Sequence, residues 1–287
     1  MKLFVLRLSI LLVLAGCSKN HDIASSADND NLLLGNPTNA KTNTAYPDNY
    51  LKDNIYYKIA YSNSRSEPIW VSWHLQSEDL GSTARQNDFR ADGTLPATWY
   101  LVQNTSYVNS GFDRGHNCPS ADRTQTVVAN SSTFLMSNMI PQAPNLNQGP
   151  WADLENFIRD SLVGLSNEAY IMMGNYGAGG TGSNGAASVI DNGNVTVPAE
   201  VYKIIVILPK GNNDLSRINS NTTVLAVRMP NNNNLYTTTT AGKKVWRNYI
   251  TTINAIEQEA LAYGLTLTFL TNVADNVRPV LKAKLYQ

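Results

Sequence analysis

The sequence predicts an α+β domain, on three observations. Runs rich in Val, Ile, Tyr and Trp recur through the body of the chain, several of them bounded by Asn, Gly or Pro. Two stretches carry apolar residues at spacings of three and four. No internal repeat and no second-domain boundary interrupts the order.

The amino terminus stands apart from that domain. Lys2 and Arg7 precede the apolar run Leu8-Ser9-Ile10-Leu11-Leu12-Val13-Leu14. A charged start and so short a run read as a targeting signal, not as a membrane span. The run ends in Leu14-Ala15-Gly16-Cys17, which resembles a bacterial lipobox. The resemblance implies a lipoprotein signal peptide over residues 1–16, with Cys17 as the lipidated first residue; a plain secretory signal is the alternative. It also implies an envelope lipoprotein, touching the membrane through its lipid alone and facing periplasm or exterior. Ser18 after the cysteine fits sorting to the outer membrane. Residues 17–45 are dominated by Asn, Asp, Ser and Thr, with little apolar content beyond Leu32-Leu33-Leu34, and are expected to form a flexible tether. The folded domain is then 46–287.

Within it, strands are expected over Ile55 to Tyr61, Pro68 to Gln76, Glu168 to Tyr176, Val197 to Leu208 and Thr223 to Met229. Trp70, Ser72 and His74 alternate with Val71, Trp73 and Leu75, as in a half-buried strand. The first helix, Pro150 to Leu165, presents Trp151, Leu154, Phe157, Ile158 and Leu162; Pro150 fits only its first turn, so the helix starts near Asn147 to Gly149. The second, Lys243 to Tyr263, presents Val245, Tyr249, Ile253, Ile256 and Ala260 and stops at Gly264. Gly174 to Gly193 is rich in Gly, Ser and Asn and is expected to be a mobile flap or a disordered loop.

Composition removes several functions. With 43% hydrophobic residues the chain has enough for a core, so global disorder is excluded. Twenty-two basic against 22 acidic residues argue against nucleic-acid binding by bulk positive charge, and loss of Lys2 and Arg7 with the signal leaves the mature chain at −2. Two cysteines exclude a disulfide framework, and lipidation of Cys17 leaves Cys118 without a partner, packing as a small buried hydrophobe. Three histidines leave little room for a multi-histidine zinc site. There is no phosphate loop, no paired CxxC, no dinucleotide fingerprint around Gly177-Ala178-Gly179-Gly180, and no heptad that would set an oligomeric state.

The chemistry concentrates between Asp113 and Arg159. Asp113-Arg114-Gly115-His116 precedes Asn117-Cys118-Pro119-Ser120-Ala121-Asp122-Arg123. His21 falls in the tether and His74 on an apolar strand, so His116 is the best-placed candidate base, although a structural role suits it equally. Arg114 and Gly115 make a cationic segment that a phosphate can approach. Glu155 and Arg159 share a helix face, where a plain surface ion pair is the alternative. Asn147 reads as a ligand or as a helix N-cap.

Together, Asp-Arg-Gly-His at 113, Asn138-Met139-Ile140-Pro141-Gln142, Asn147-Gln148-Gly149-Pro150-Trp151, Glu155 and Arg159 resemble the DNA/RNA non-specific endonucleases, the ββα-metal or His-Me finger nucleases. The resemblance extends more loosely from about Tyr57 to the carboxyl terminus. It implies a central antiparallel sheet flanked by helices, with a hairpin and helix clasping one metal. It implies sugar-nonspecific cleavage of DNA and RNA to 5′-phosphate products with Mg²⁺, or Mn²⁺ in its place. His116 is then the general base and Asn147 the direct metal ligand. Glu155 orients water on the metal, and Arg114 and Arg159 stabilise the charge on phosphorus. Asn138 supports the metal ligand through hydrogen bonds. A further upstream arginine facing the phosphate is Arg85, ahead of Arg90. A surface lipoprotein that binds nucleic acid or a partner without cutting is the alternative function.

Overall fold

The computed structural model describes residues 28–287. The lipobox, Cys17 and the first part of the expected tether lie outside the described residues.

The centre of the molecule is a seven-stranded sheet in which every pair is antiparallel. Its members are β1 (Tyr50–Asp53), β2 (Lys58–Ser62), β3 (Glu67–Leu75), β6 (Asn167–Tyr176), β11 (Glu200–Pro209), β12 (Thr223–Pro230) and β13 (Ile250–Thr251), hydrogen-bonded in that order. A separate hairpin joins β4 (Asp113–His116) to β5 (Met139–Gln142). Two smaller ones join β7 (Gly180–Gly182) to β8 (Gly185–Ala187), and β9 (Val189–Ile190) to β10 (Val195–Thr196). The expected strands are all present, within a few residues at each end.

Alternation along the central strands divides the core in two. Val71, Trp73 and Leu75 point to one face, with Ile171, Met173, Val201, Ile205 and Val227. Trp70, Tyr170, Met172, Tyr202 and Ile204 point to the other. β3 is therefore buried along its whole length, not half-buried, because both faces are covered. The front layer is the hairpin β4–β5 with the helix that follows it, contributing Ile140, Leu146, Trp151, Leu154 and Ile158. The back layer includes the helix Ile253–Ala262 and Leu267, Phe269 and Leu281 from the carboxyl-terminal region.

Three expectations are corrected. The tether does not run to residue 45: Leu33, Leu34 and Ala40 are buried in the back layer, and Lys41 bridges to Tyr50. Asn31 donates its side-chain amide to the Ile55 carbonyl and accepts from the His74 backbone amide. Averaged composition hid this, because three leucines are enough to cap an apolar sheet face that water would otherwise wet.

The second helix is not continuous from Lys243 to Tyr263. A turn at Thr240–Lys243 and a 3₁₀ segment at Lys244–Tyr249 give way to β13, and Thr252 then caps the helix Ile253–Ala262 by accepting from the Ala255 amide at 3.1 Å. The β-branched run Ile250-Thr251-Thr252 favours extension over helix there. Gly264, with φ of +78°, ends it as expected.

The Gly-rich segment at 174–193 is no disordered flap. It finishes β6 and then forms β7, β8 and β9, tied back by Thr181 to the Asn231 carbonyl and by Ser183 to the Gly111 carbonyl.

Candidate active site

The hairpin that carries Asp113, Arg114, Gly115 and His116 pairs in strict register, Asp113 opposite Gln142 and His116 opposite Met139. Gly115 is obligatory for a local reason: a Cβ on it would lie 2.4 Å from Gln142 Oε1 and 2.6 Å from Gln142 Cβ. Just before β5, Asn138 is fully buried and holds the chain after His116. Its Nδ2 donates to the carbonyls of Cys118 and Thr133 at 2.9 Å, and its Oδ1 accepts from the Cys118 amide at 3.0 Å. Asn138 thus braces the histidine strand and not Asn147, contrary to the sequence expectation. Cys118 is completely buried and unpaired, and burial raises its thiol pKa, so it packs as a small hydrophobe.

His116 is half-buried in an aromatic cradle, 5.5 Å from the Phe89 ring and 5.0 Å from the Phe134 ring, both edge-on. Its Nε2 has no hydrogen-bond partner among the described residues. Burial, with the positive fields of Arg85 and Arg114 added, pushes the imidazole down to about 3. The ring is therefore neutral and able to accept a proton across the neutral range.

The site helix begins at Pro144, ahead of the expected start near Asn147 to Gly149, and runs through Pro144–Leu146, Asn147–Trp151, Ala152–Phe157 and Ile158–Val163. Gly149, with non-helical φ/ψ of −100° and −110°, bends it ahead of Pro150. Asn147 is not an N-cap. Its Nδ2 donates to Asp113 Oδ2 at 2.8 Å, and the Gln148 amide donates to the same oxygen at 2.8 Å. With its nitrogen so engaged, Asn147 offers a carbonyl oxygen as its remaining polar atom. That is the hard oxygen donor that Mg²⁺-class ions take, and one such protein ligand suits an ion that keeps its waters.

A cleft of about 300 Å³ brings together Asn147, Asp113, Arg114 and Arg85, with Phe89 and Tyr107 in its walls. Arg114 lies over the Phe89 ring, 4.1 Å from its centroid, and donates to the Asn104 carbonyl at 3.1 Å. Arg85 lies 4.8 Å from the Phe134 centroid and donates to Ser120 Oγ at 2.6 Å, close enough to feel the charges of Glu155 and Arg114. Arg90 is instead paired with Asp88 at 2.7 Å. Arg123, a further candidate for local positive charge, is buried and spends its guanidinium on the carbonyls of Tyr56 and His74.

Glu155 and Arg159 do not pair with each other. Glu155 Oε1 lies 2.9 Å from Lys203 Nζ, and Arg159 donates to Asp122 Oδ1 at 2.7 Å. Sequence reasoning missed Lys203 and Asp122, although a lysine inside the apolar run Val201 to Leu208 was a signal in plain view. A second titratable group, His74, Glu168 and Asp214, presents its ligand-type atoms within 4.8 Å of one another. It belongs to the back face with Tyr170 and is closed by its own hydrogen bonds. His74 lies 3.1 Å from Glu168, Tyr170 donates to Asp214, and Arg217 bridges Glu168 at 2.6 Å and Asp214 at 2.5 Å as the resident cation.

Comparison with known proteins agrees with this geometry. The model of the family "DNA/RNA non-specific endonuclease" matches residues 34–276. A nuclease of Nostoc sp. is 40% identical over 254 residues, covering 88% of this chain and 85% of the relative. Human mitochondrial endonuclease G is 32% identical over 167 residues, covering 56% of each chain. Among solved structures, a chain of the EndoG/EndoGI complex superposes with a TM-score of 0.65 at 22% identity, covering 85% of this chain and 91% of that one, so the fold is shared. The family is metal-dependent and acts on nucleic acids. With its antiparallel sheet, its hairpin-and-helix site and a match spanning most of its length, the chain belongs to the DNA/RNA non-specific endonuclease family and is a nuclease that hydrolyses nucleic acids.

Proposed function

We propose that this protein cleaves both DNA and RNA internally with Mg²⁺, or Mn²⁺ in its place, leaving 5′-phosphate and 3′-hydroxyl ends. The observation that supports this reading most directly is the cleft that places the Asn147 carbonyl donor beside Arg114 and Arg85, with the unprotonated His116 in reach of both arginine fields.

In this reading His116 takes the proton of the water that attacks phosphorus. Its depressed pKa keeps the ring in the accepting form, and the Phe89 and Phe134 edges hold it in place. Arg114 and Arg85 receive the phosphate and offset charge as it builds on the non-bridging oxygens. Arg114 is steadied for this by Phe89 and the Asn104 carbonyl. Asp113 fixes the Asn147 amide so that its oxygen presents to the ion. The ion, when bound, supplies positive charge to the phosphate and the departing 3′-oxygen. Glu155 would offer a carboxylate toward water around a bound ion, and Arg159, one turn on, adds positive charge on the same helix face.

The lipobox resemblance supports placement as an envelope lipoprotein, anchored by Cys17 and sorted to the outer membrane. The protein expressed in a bacterial host should partition with membranes, and Cys17→Ala should release it to the soluble fraction. Purified protein should nick supercoiled plasmid with Mg²⁺, lose the activity in EDTA, and degrade RNA under the same conditions. A wild-type protein inert on both substrates with Mg²⁺ and with Mn²⁺ would sink the reading.

A further inference from the structure

Lys203 sits where a lysine has no packing reason to be. It occupies the middle of β11, on the front face, between Val201 and Ile205 along the strand and between Met173 and Val227 on the neighbouring strands. Only 1% of its side chain is exposed. Its Nζ lies 5.6 Å from the Trp73 ring centroid and 4.9 Å from that of Trp151, and its one ion-pair partner among the described residues is Glu155 at 2.9 Å. A charge taken this far out of water weakens the fold unless its partner repays the desolvation, and an apolar side chain of similar shape often serves stability as well or better.

Asp122 presents the mirror arrangement. Its side chain is 4% exposed; Oδ1 accepts from Arg159 at 2.7 Å and Oδ2 accepts from Trp73 Nε1 at 2.9 Å. Trp73 therefore joins both legs, its ring flanking Lys203 and its indole nitrogen fixing Asp122. At their i, i+4 spacing, Glu155 and Arg159 would neutralise each other if left alone. Each is instead held by an opposite charge delivered from a different element: Lys203 from the sheet, Asp122 from the connection between β4 and β5.

We propose that Lys203 and Asp122 are positioning residues of the nuclease reaction, which keep Glu155 and Arg159 apart so that both charges serve the phosphate and the ion. The inference rests on the reading of Glu155 and Arg159 given above. Without Lys203, Glu155 loses its opposite charge and turns toward Arg159, one helical turn away.

The test uses the full-length protein with Lys203→Met, Lys203→Arg, Lys203→Ala and Asp122→Asn. Lys203→Met should fold with an unchanged or higher Tm, yet lower kcat about 10- to 100-fold and raise the Mn²⁺ concentration that half-saturates binding, read by electron paramagnetic resonance without substrate. Lys203→Arg, which keeps the charge, should recover part of the loss. Ethylammonium added to Lys203→Ala should restore activity in proportion to its concentration, which a role in packing alone would not allow. Asp122→Asn should raise KM for nucleic acid more than it lowers kcat. A Lys203→Met protein that cuts at the wild-type rate and binds Mn²⁺ equally well overturns the inference while leaving wild-type cleavage intact. A wild type that does not cut fails the functional reading instead.

Discussion

Asn147 and Asp113, 34 positions apart in sequence, are joined by a 2.8 Å hydrogen bond from the Asn147 amide to the Asp113 carboxylate. The bond ties the first turn of the site helix to the first residue of the hairpin, so the metal-ligand candidate and the strand of the candidate base move as one body. Asp113→Ala should leave His116 in place but free the Asn147 amide to rotate. We expect the Mg²⁺ concentration for half-maximal cleavage to rise by about 10- to 100-fold, measured by titrating metal in a plasmid-nicking assay. An unchanged metal requirement would remove Asp113 from this role.

His116→Ala should reduce cleavage by about 10²- to 10⁴-fold, the usual worth of a positioned proton acceptor. Binding of a short duplex in EDTA should change little, since the imidazole is uncharged in the folded protein. Loss of binding in parallel with cleavage would make His116 a contact residue instead of a base.

The depressed titration of His116, to about 3, sets two pH dependences. Activity of the free enzyme should persist well below pH 6, with no acidic limb near 6.5 from this group. Stability follows a different sign. Between about pH 3 and 6.5 the unfolded chain binds a proton at His116 that the folded chain refuses, so folding weakens as pH falls through that window. His74, lowered to about 4 by burial, acts in the same direction. The buried Glu67, raised to about 7, opposes them between about 4.5 and 7, because there the folded state holds the extra proton. Urea melts of wild type and His116→Asn across pH 4.5–6 should show a shallower loss of stability in the variant.

Gly115→Ala tests the hairpin by steric means. The new methyl would meet Gln142 at 2.4 Å, so strand β4 must separate from β5 or Gln142 must leave its pocket. We expect a loss of about 1–3 kcal/mol, read from thermal or urea unfolding, together with loss of cleavage. Wild-type stability in this variant would mean that the hairpin relaxes more freely than its register suggests.

Leu34→Ala should cost about 2–5 kcal/mol, as for a buried core leucine, although it falls in a segment whose composition reads as a tether. A chain truncated to begin at residue 46 should be less stable still. Equal melting of the truncated and full chains would restore the tether reading.

Legibility in the sequence followed the range of the interactions. Strands β3, β6, β11 and β12 announce themselves because their burial is carried by consecutive side chains, and the Asp113 to His116 motif because its chemistry is local. Arg85, Arg114 and Asn147 line one cleft, and His116 lies within the fields of both arginines, an arrangement that the resemblance and not the spacing suggested. Lys203 and Asp122 were not legible, because nothing in the order of residues says that a lysine on β11 lies under a glutamate 48 positions earlier. The break at Ile250 and the docking of Leu33 and Leu34 escaped for the same reason: both are decided by what the sheet needs covered, not by the segment's own periodicity. The environment of His116 was equally hidden, since Phe89 and Phe134 arrive from separate loops.

The segment around Leu33 and Leu34 packs on the sheet face opposite the one that supports the hairpin and the site helix. The chain therefore enters its own domain from behind. The sheet stands as a wall between this leading segment and the site helix, so substitutions at Leu33 or Leu34 act on the cleft only through the sheet's own stability and not by contact.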